Sequence, residues 1–166
     1  MNTPRIGAIG GGQLARMMAD AANAAGVDFR VLAEAEGSSA RAAASMVGDY
    51  TRLNVVAGFA ETVDVITFDH EHVPLTILEE LESRGVRVQP AASALAFAQN
   101  KLHMRKRLAI LDLPMPAWAE IQSASELEEF IGEQGGVVVL KTPIGGYDGK
   151  GVRVVRSSAE ASDWLE

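Results

Sequence analysis

The sequence predicts an α/β protein in which a doubly wound parallel sheet comes first and the beginning of an α+β domain follows. Strands and helices alternate through the first part of the chain, as they do in parallel sheets. The strand predicted at Val63–Phe68 is rich in β-branched apolar residues, which is typical of a strand buried on both faces. After Leu113-Pro114-Met115-Pro116 the pattern of elements starts again. We therefore predict one domain over residues 1–95 and an incomplete second domain over residues 96–166.

Each element of the first domain follows from a local pattern. Apolar runs predict the strands, and glycines at 26 and 85 stop the two longer helices. The predicted strands are Arg5–Ile9, Asp28–Leu32, Val63–Phe68 and Val86–Val88, and the predicted helices are Gln13–Ala25 and Leu75–Ser83. Between residues 34 and 62 we predict small helices around a short strand at Ser45–Val47.

The second part of the chain begins with a long basic helix, predicted over Gln99–Leu111. Ser125 with Glu128, and Ser157 with Glu160, have the spacing of helix capping boxes. Strands are predicted at Trp118–Ile121, Val137–Lys141 and Val152–Val155. So few strands and helices bury too little apolar surface to fold alone, so we expect this chain to be the N-terminal piece of a longer protein.

Composition narrows the classes of function. The formal net charge of the 166 residues is −7, which disfavours a general nucleic-acid-binding role. There is no apolar run of the roughly 20 residues that a membrane-spanning helix needs, so no membrane role is expected. The chain has no cysteine and no signal-peptide pattern, and we expect a cytoplasmic setting.

A first glycine cluster, Gly10-Gly11-Gly12-Gln13-Leu14-Ala15, follows the first strand and opens a helix. It contains G-x-G-x-x-A, the arrangement of a dinucleotide-binding turn, and Glu34 and Glu36 lie near the position of a ribose-binding acid. The same turn can hold a single phosphate at the helix N-terminus, or serve only the packing of helix on strand. The pattern alone leaves these three interpretations open.

A second candidate segment, Thr67–Pro74, follows the buried strand, where ligand sites of open α/β sheets lie. Strand alternation would place Asp69 and Glu71 on one face and His70 and His72 on the other. A metal site is disfavoured, because there is no cysteine and only one further histidine. A carboxylate that binds a hydroxyl or an amine of a small substrate is the favoured interpretation, and a solvated turn is the alternative.

The most informative segment is the glycine-rich loop that follows the strand ending at Lys141. It contains Gly145, Gly146, Gly149 and Gly151, so its backbone can lie close to a ligand and its N–H groups can surround phosphate oxygens. Lysines at 141 and 150 would add positive charge. The spacing is not that of a P-loop, and a simple hairpin turn is the alternative.

Taken in order, four motifs resemble the N5-carboxyaminoimidazole ribonucleotide synthase family of the ATP-grasp superfamily. They are residues 10–17 (GGGQLARM), residues 67–74 (TFDHEHVP), residues 99–102 (QNKL) and residues 139–151 (VLKTPIGGYDGKG), and the resemblance covers essentially the whole chain. It implies a Rossmann-like pre-ATP-grasp domain followed by the beginning of the ATP-grasp domain. It also implies an ATP-dependent carbon–nitrogen ligase of purine biosynthesis, which carboxylates 5-aminoimidazole ribonucleotide with bicarbonate and releases ADP and phosphate.

The resemblance also implies roles for individual residues. The predicted ATP-binding residues are Lys101, Lys141, Gly145, Gly146, Gly149 and Gly151. Tyr147, Asp148 and Lys150 would hold the aminoimidazole ribonucleotide as catalytic residues, and Gly12, Gln13, Leu14 and Glu71 would contact it from the first domain. Mg²⁺ would accompany ATP, with its ligands in a C-terminal part beyond this chain. The full-length protein would be a homodimer.

Two segments of the sequence, and the length of the chain, depart from the family's pattern. Residues 68–72 read Phe-Asp-His-Glu-His where Phe-Glu-Phe-Glu-Asn is common, and Lys150 stands where arginine is also common. The chain also lacks the C-terminal half of the family's proteins, so we predict that the 166-residue chain alone is inactive. The alternatives are another ATP-grasp enzyme such as formate-dependent glycinamide ribonucleotide transformylase, a fragment of a nicotinamide-dependent oxidoreductase, or a non-catalytic nucleotide-binding module.

Overall fold

The computed structural model describes residues 3–146 and 149–165. The chain divides into two compact units, residues 1–96 and residues 97–166. These are units of packing, and the domain boundary between residues 95 and 96 stays a prediction. Within the described ranges, no helix is long and apolar enough to cross a membrane.

The first unit is built on a four-stranded parallel sheet, which confirms the predicted fold class. Its strands are β1 (Arg5–Ile9), β2 (Asp28–Ala33), β3 (Ala44–Val47) and β4 (Val65–Phe68), in the spatial order β3-β2-β1-β4. Its helices are α1 (Gln13–Ala24), α2 (Leu53–Ala60) and α3 (Leu75–Ser83), with a 3₁₀ turn at Arg41–Ala43. The short strand and small helices predicted between residues 34 and 62 are confirmed.

Both faces of this sheet are covered, which explains why its strands are apolar without alternation. Ile9 and its neighbour in register, Leu32, join one core cluster with Phe59 of α2 and Leu78 of α3. The preceding residue of β1, Ala8, faces the opposite side, in a smaller cluster that also contains Ala15 of α1. Because β1, β2 and β4 are parallel, their carboxyl ends lie at one edge of the sheet, and this edge carries the first glycine cluster and the segment after β4.

The prediction of a strand at Val86–Val88 is wrong. Only a single parallel bridge forms there, between Ile66 and Val88. The Ile66 amide donates to Arg87 O over 2.8 Å, and the Gln89 amide donates to Ile66 O over 2.8 Å. Pro90, which has no N–H to donate, follows at once, and the pairing stops.

The second unit contains a two-stranded antiparallel hairpin and two helices, and a further helix spans the division between the units. The elements are α4 (Ala92–Gln99), α5 (Lys101–Ile110), α6 (Ala124–Glu133), β5 (Val138–Lys141) and β6 (Val152–Val155), with a 3₁₀ segment at Ser158–Trp164. The single helix predicted over Gln99–Leu111 is interrupted at Asn100, which has an extended backbone. Residues 118–121, all of which the structure describes, form no strand, so that prediction is wrong.

The cap of α6 also differs from the prediction. Ser123, not Ser125, is the N-cap, and its hydroxyl accepts a hydrogen bond from the Glu126 amide over 3.3 Å. Glu126 in turn accepts from the Gln122 amide over 2.7 Å. Glu128, which the sequence assigned to the capping box, instead accepts from the Ser158 amide over 2.6 Å and ties α6 to the 3₁₀ segment.

Candidate functional site

The first glycine cluster forms the turn between β1 and α1. Gly10 has φ +110°, and a Cβ built on it would lie 1.8 Å from Asp69 Oδ1. The Gly11 amide donates to Glu34 Oε2 over 2.9 Å, and the Ala15 amide in the first turn of α1 donates to Asp69 Oδ2 over 3.2 Å. Two carboxylates therefore already occupy backbone donors that an anion would use in this turn.

This geometry distinguishes the three interpretations of the turn. A pyrophosphate at Gly11 and Ala15 would have to displace Glu34 and Asp69, and it would meet their negative charge. Glu34, near the position of a ribose-binding acid, instead bonds the turn of its own protein. The geometry therefore favours packing of α1 against the sheet over phosphate or dinucleotide binding at these two amides.

His70 lies beside the same two acids. Its Nδ1 accepts a hydrogen bond from the His72 amide over 3.1 Å, so the proton of the neutral imidazole is on Nε2. His70 Nε2 lies 3.5 Å from Glu34 Oε1 and 3.8 Å from Asp69 Oδ1. Among the described residues, neither His70 Nε2 nor Asp69 Oδ1 has a hydrogen-bond partner, although both atoms are buried.

The predicted separation of the two acids from the two histidines does not hold. β4 ends at Phe68 and residues 69–72 form a turn, so the strand alternation no longer applies. The side chains of Asp69 and His70 therefore lie close together, with His70 Nε2 3.8 Å from Asp69 Oδ1. The ring of Tyr50 lies 4.9 Å from that of His70, and burial, followed by the charge of Glu34, raises the pKa of the Tyr50 hydroxyl. The described residues contain no group of three or more His, Asp or Glu that could hold a metal ion.

The predicted substrate-contacting residues of the first unit lie at this same edge of the sheet. Gly12 is close to Asp69, since a Cβ built on Gly12 would be 3.1 Å from Asp69 Oδ2. Glu71 is half-buried in the turn after β4. Leu14 lines a groove of about 430 Å³ on the surface of α1, and Gln13 begins that helix. The groove is lined by Leu14, Met17, Met18, Ala21, Phe68 and Asp69.

The second glycine cluster connects β5 to β6, as the sequence predicts. Gly145, Gly146, Gly149 and Gly151 all have positive φ, between 69° and 83°. A Cβ on Gly146 would lie 2.5 Å from Lys150 O, and one on Gly151 would lie 2.4 Å from Thr142 Oγ1. The base of the loop is closed by the Thr142 amide, which donates to Gly151 O over 3.0 Å. Tyr147 and Asp148 lie outside the described residues.

The hairpin has an outer face that combines apolar and cationic side chains. Val139 pairs with Val154 and Lys141 pairs with Val152, and these directly opposed residues share a face. All four are exposed, whereas Val138 and Val155 point the other way, into the core of the second unit. We call this set of exposed side chains, Val139, Lys141, Val152 and Val154, the outer face of the hairpin.

Lys101, at the first position of α5, contacts the glycine loop directly. Its ammonium group donates to Gly145 O over 2.6 Å. Asn100 caps the same helix, because its side chain accepts from the His103 amide over 3.0 Å. Sequence reasoning assigned no role to Asn100, and it considered Glu34 only as a possible ribose-binding acid, not as a partner of the Gly11 amide. An Asn directly before a lysine is a possible N-cap, but the single long helix predicted here obscured it.

Comparisons with known proteins bear on both units. Residues 1–99 match the sequence model of the ribonucleotide synthetase preATP-grasp domain, and residues 106–166 match that of the ATP-grasp domain. A relative from Mycobacterium tuberculosis (strain H37Rv), an N5-carboxyaminoimidazole ribonucleotide synthase, is 43% identical over 163 residues, which cover 97% of this chain. This chain spans 38% of the length of that relative.

Solved structures agree with these matches. The ADP complex of an N5-carboxyaminoimidazole ribonucleotide synthetase superposes with a TM-score of 0.85 and 33% identity, covering 99% of this chain and 44% of that one. The enzyme from Aspergillus clavatus, in complex with ADP and 5-aminoimidazole ribonucleotide, gives a TM-score of 0.82 and 29% identity, covering 99% of this chain and 43% of that one.

Proposed function

From the premise that this chain belongs to the ribonucleotide synthetase preATP-grasp domain family, we propose that it is the N-terminal part of an ATP-dependent ligase. The reaction is the carboxylation of 5-aminoimidazole ribonucleotide with bicarbonate to N5-carboxyaminoimidazole ribonucleotide, in purine biosynthesis. Because the chain spans 38% of the length of the Mycobacterium tuberculosis relative, we assign the activity to a longer polypeptide. The 166-residue chain alone is expected to be inactive.

The outer face of the hairpin is the observation that carries the nucleotide part of this proposal. It places exposed valines on the same strand face as Lys141, at the base of a loop rich in positive-φ glycines. A nucleotide has an apolar ring and charged phosphates, so a surface of this composition suits both parts. Lys101 and Lys141 bind the ATP phosphates in this proposal, and Gly145, Gly146, Gly149 and Gly151 let the backbone approach them.

The chemistry requires positioning and charge neutralisation more than a protein nucleophile. A bicarbonate oxygen attacks the γ-phosphorus of ATP, ADP leaves, and carboxyphosphate forms. The amine of the aminoimidazole ribonucleotide then forms a C–N bond with the carboxyl carbon, and inorganic phosphate leaves. Tyr147, Asp148 and Lys150 are proposed to hold the ribonucleotide.

The first unit supplies the remaining substrate contacts in this proposal. Gly12, Gln13, Leu14 and Glu71 contact the ribonucleotide, and Glu71 meets its ribose or its amine. Support comes from their common location at the carboxyl edge of the sheet. The acids already there, Glu34 and Asp69, suit a neutral or amine-bearing part of the substrate better than its phosphate.

Mg²⁺ is expected to accompany ATP in this family, but the described residues do not provide a fitting set of ligands. We therefore assign Mg²⁺ to no residue of this chain and derive no step from it. The homodimeric state of the full-length protein is likewise a proposal that rests on the family resemblance.

The test is ADP formation by the intact natural polypeptide, with 5-aminoimidazole ribonucleotide plus bicarbonate compared against glycinamide ribonucleotide plus formate. We expect ADP only with the aminoimidazole substrate. ADP released only with the glycinamide substrate would assign the chain to the transformylase, and ADP released with neither would reject both ligase activities.

Lys141→Met sharpens this test at the level of one residue. We expect kcat/KM for ATP to fall by about 100-fold or more, because a charge that neutralises the transferring phosphoryl group is removed. Lys106→Met is the matched control, since it removes the same charge from an exposed lysine whose partner is Glu120, 2.7 Å away. The control should stay within about twofold of the wild type.

A further inference from the structure

Asn100 is a single residue of extended backbone between two helices. It separates α4 from α5 and has φ −126° and ψ 106°. Its side-chain oxygen accepts from the His103 amide over 3.0 Å, which satisfies one of the unpaired donors in the first turn of α5. The cap therefore fixes where α5 begins and how its first residue, Lys101, is oriented.

Asn100 and Lys101 are paired with the start of the glycine loop. Asn100 forms an antiparallel bridge with Ile144, and the Lys101 amide donates to Pro143 O over 2.8 Å. The Lys101 ammonium donates to Gly145 O over 2.6 Å. Three consecutive loop residues are thus held by two consecutive residues at the beginning of α5.

These contacts restrict a side chain that is otherwise very flexible. A lysine has several rotatable bonds and three ammonium donors. Gly145 O accepts from one of these donors, and a phosphate oxygen would accept from another. Because Lys101 is the first residue of the helix, fraying of the first turn would disturb both its amide bond to Pro143 and its ammonium bond to Gly145.

We infer that Asn100 is a positioning residue of the nucleotide site, which acts through Lys101: its cap holds the Lys101 ammonium against Gly145 O, ready to meet a phosphate. The inference rests on the proposed function for the identity of the ligand. Asn100 itself is given no contact with substrate.

The experiment uses the intact natural polypeptide with Asn100→Ala and Asn100→Ser. We expect Asn100→Ala to raise KM for ATP about fivefold and to leave KM for the aminoimidazole ribonucleotide unchanged. Asn100→Ser should restore KM for ATP, because serine is an uncharged N-cap that keeps the acceptor oxygen. Amide hydrogen exchange at Lys101 and His103 should accelerate in Asn100→Ala by a similar factor and return to the wild-type rate in Asn100→Ser.

Ser123→Ala is the matched control, since Ser123 caps α6 in the same way and has no place in the proposed site. It should accelerate exchange in α6 and leave KM for ATP unchanged. The inference is overturned if Asn100→Ala leaves Lys101 exchange unchanged, if KM for ATP does not rise, or if serine fails to restore both. Absence of substrate-dependent ADP in the wild type would overturn the proposed function and the nucleotide role of Asn100, while the exchange rates would still decide whether the cap holds Lys101.

Discussion

The two glycine clusters of this chain look alike in sequence and differ in their surroundings. The turn at Gly10–Gly12 is bonded by two acids, Glu34 and Asp69. The loop at Gly145–Gly151 is contacted by Lys101 and follows Lys141. Glycine content makes a close backbone approach possible in both places, but the charge that the fold brings there decides what approaches. The first turn is approached by the protein's own carboxylates, and the described part of the second loop is approached by the Lys101 ammonium.

The largest effect that tests this comparison is expected at Gly10. Gly10→Ala places a Cβ 1.8 Å from Asp69 Oδ1 at φ +110°, so Asp69 must leave the first turn of α1. We expect the free energy of unfolding of the first unit to fall by about 3 kcal/mol or more. Hydrogen exchange of the β1 and β4 amides measures this loss in the free energy of unfolding.

Gly26→Ala provides the control for Gly10→Ala. Gly26 also has positive φ, +68°, but a Cβ there would have no atom of the described residues within 4 Å. Gly26→Ala should lower the free energy of unfolding by only about 1 kcal/mol, because alanine is disfavoured in the left-handed backbone conformation. Equal effects at the two glycines would contradict the view that packing against Asp69 is what the first turn requires.

A smaller effect is expected in the second cluster. Gly146→Ala places a Cβ 2.5 Å from Lys150 O, whereas a Cβ in Gly149→Ala, at nearly the same φ, has no atom of the described residues within 4 Å. Gly146→Ala should therefore destabilise the β5–β6 hairpin by about 2 kcal/mol and Gly149→Ala by about 1 kcal/mol. Hydrogen exchange of the Val139 and Val154 amides measures the destabilisation of the hairpin in both variants. A larger cost at Gly149 would show that contacts other than the one to Lys150 O restrict this loop.

The smallest effect is expected at Asp64, which is paired with an arginine. The Arg5 guanidinium donates to Asp64 Oδ1 over 2.7 Å, and this hydrogen bond lowers the pKa of the Asp64 carboxyl group to about 2. A carboxyl group with a lowered pKa stabilises the folded state above its unfolded pKa of about 4, and this stabilisation is lost as the pH falls toward 2. The pair is exposed, so the loss should be small.

NMR titration of the Asp64 carboxyl group, together with unfolding between pH 4 and pH 2, checks this prediction. Asp64→Asn should remove that part of the pH dependence and leave the rest in place. A carboxyl group that titrates at the ordinary value for aspartate would contradict the contribution of Arg5.

Patterns that depend on local chemistry predicted most of the elements correctly. Apolar runs identified β1, β2 and β4, and glycines after α1 and α3 identified the ends of those helices. The errors arose where distant partners decide. Val86–Val88 forms only one bridge to the sheet, and residues 118–121 form no strand although their sequence resembles one. A strand needs a neighbour to pair with, and no local pattern reveals whether one is present.

Cap positions show the same limit at a finer scale. Ser123 and Ser125 both precede glutamates at capping spacing, and only the structure shows that Ser123 is the cap. Likewise, the resemblance singled out Lys101, whereas Asn100 became visible only through its bonds to His103 and the loop. Adjacent candidates with equal propensity are separated by which one the neighbouring backbone can reach.

The sequence by itself determined the α/β class, the order of the glycine clusters and the family, because hydrophobic periodicity and short motifs are properties of contiguous residues. Only the tertiary structure decided that Glu34 and Asp69 converge on Gly11 and Ala15, and that Lys101 meets Gly145. These pairs lie 23, 54 and 44 residues apart along the chain, and contacts at such separations depend on how the strands and helices pack.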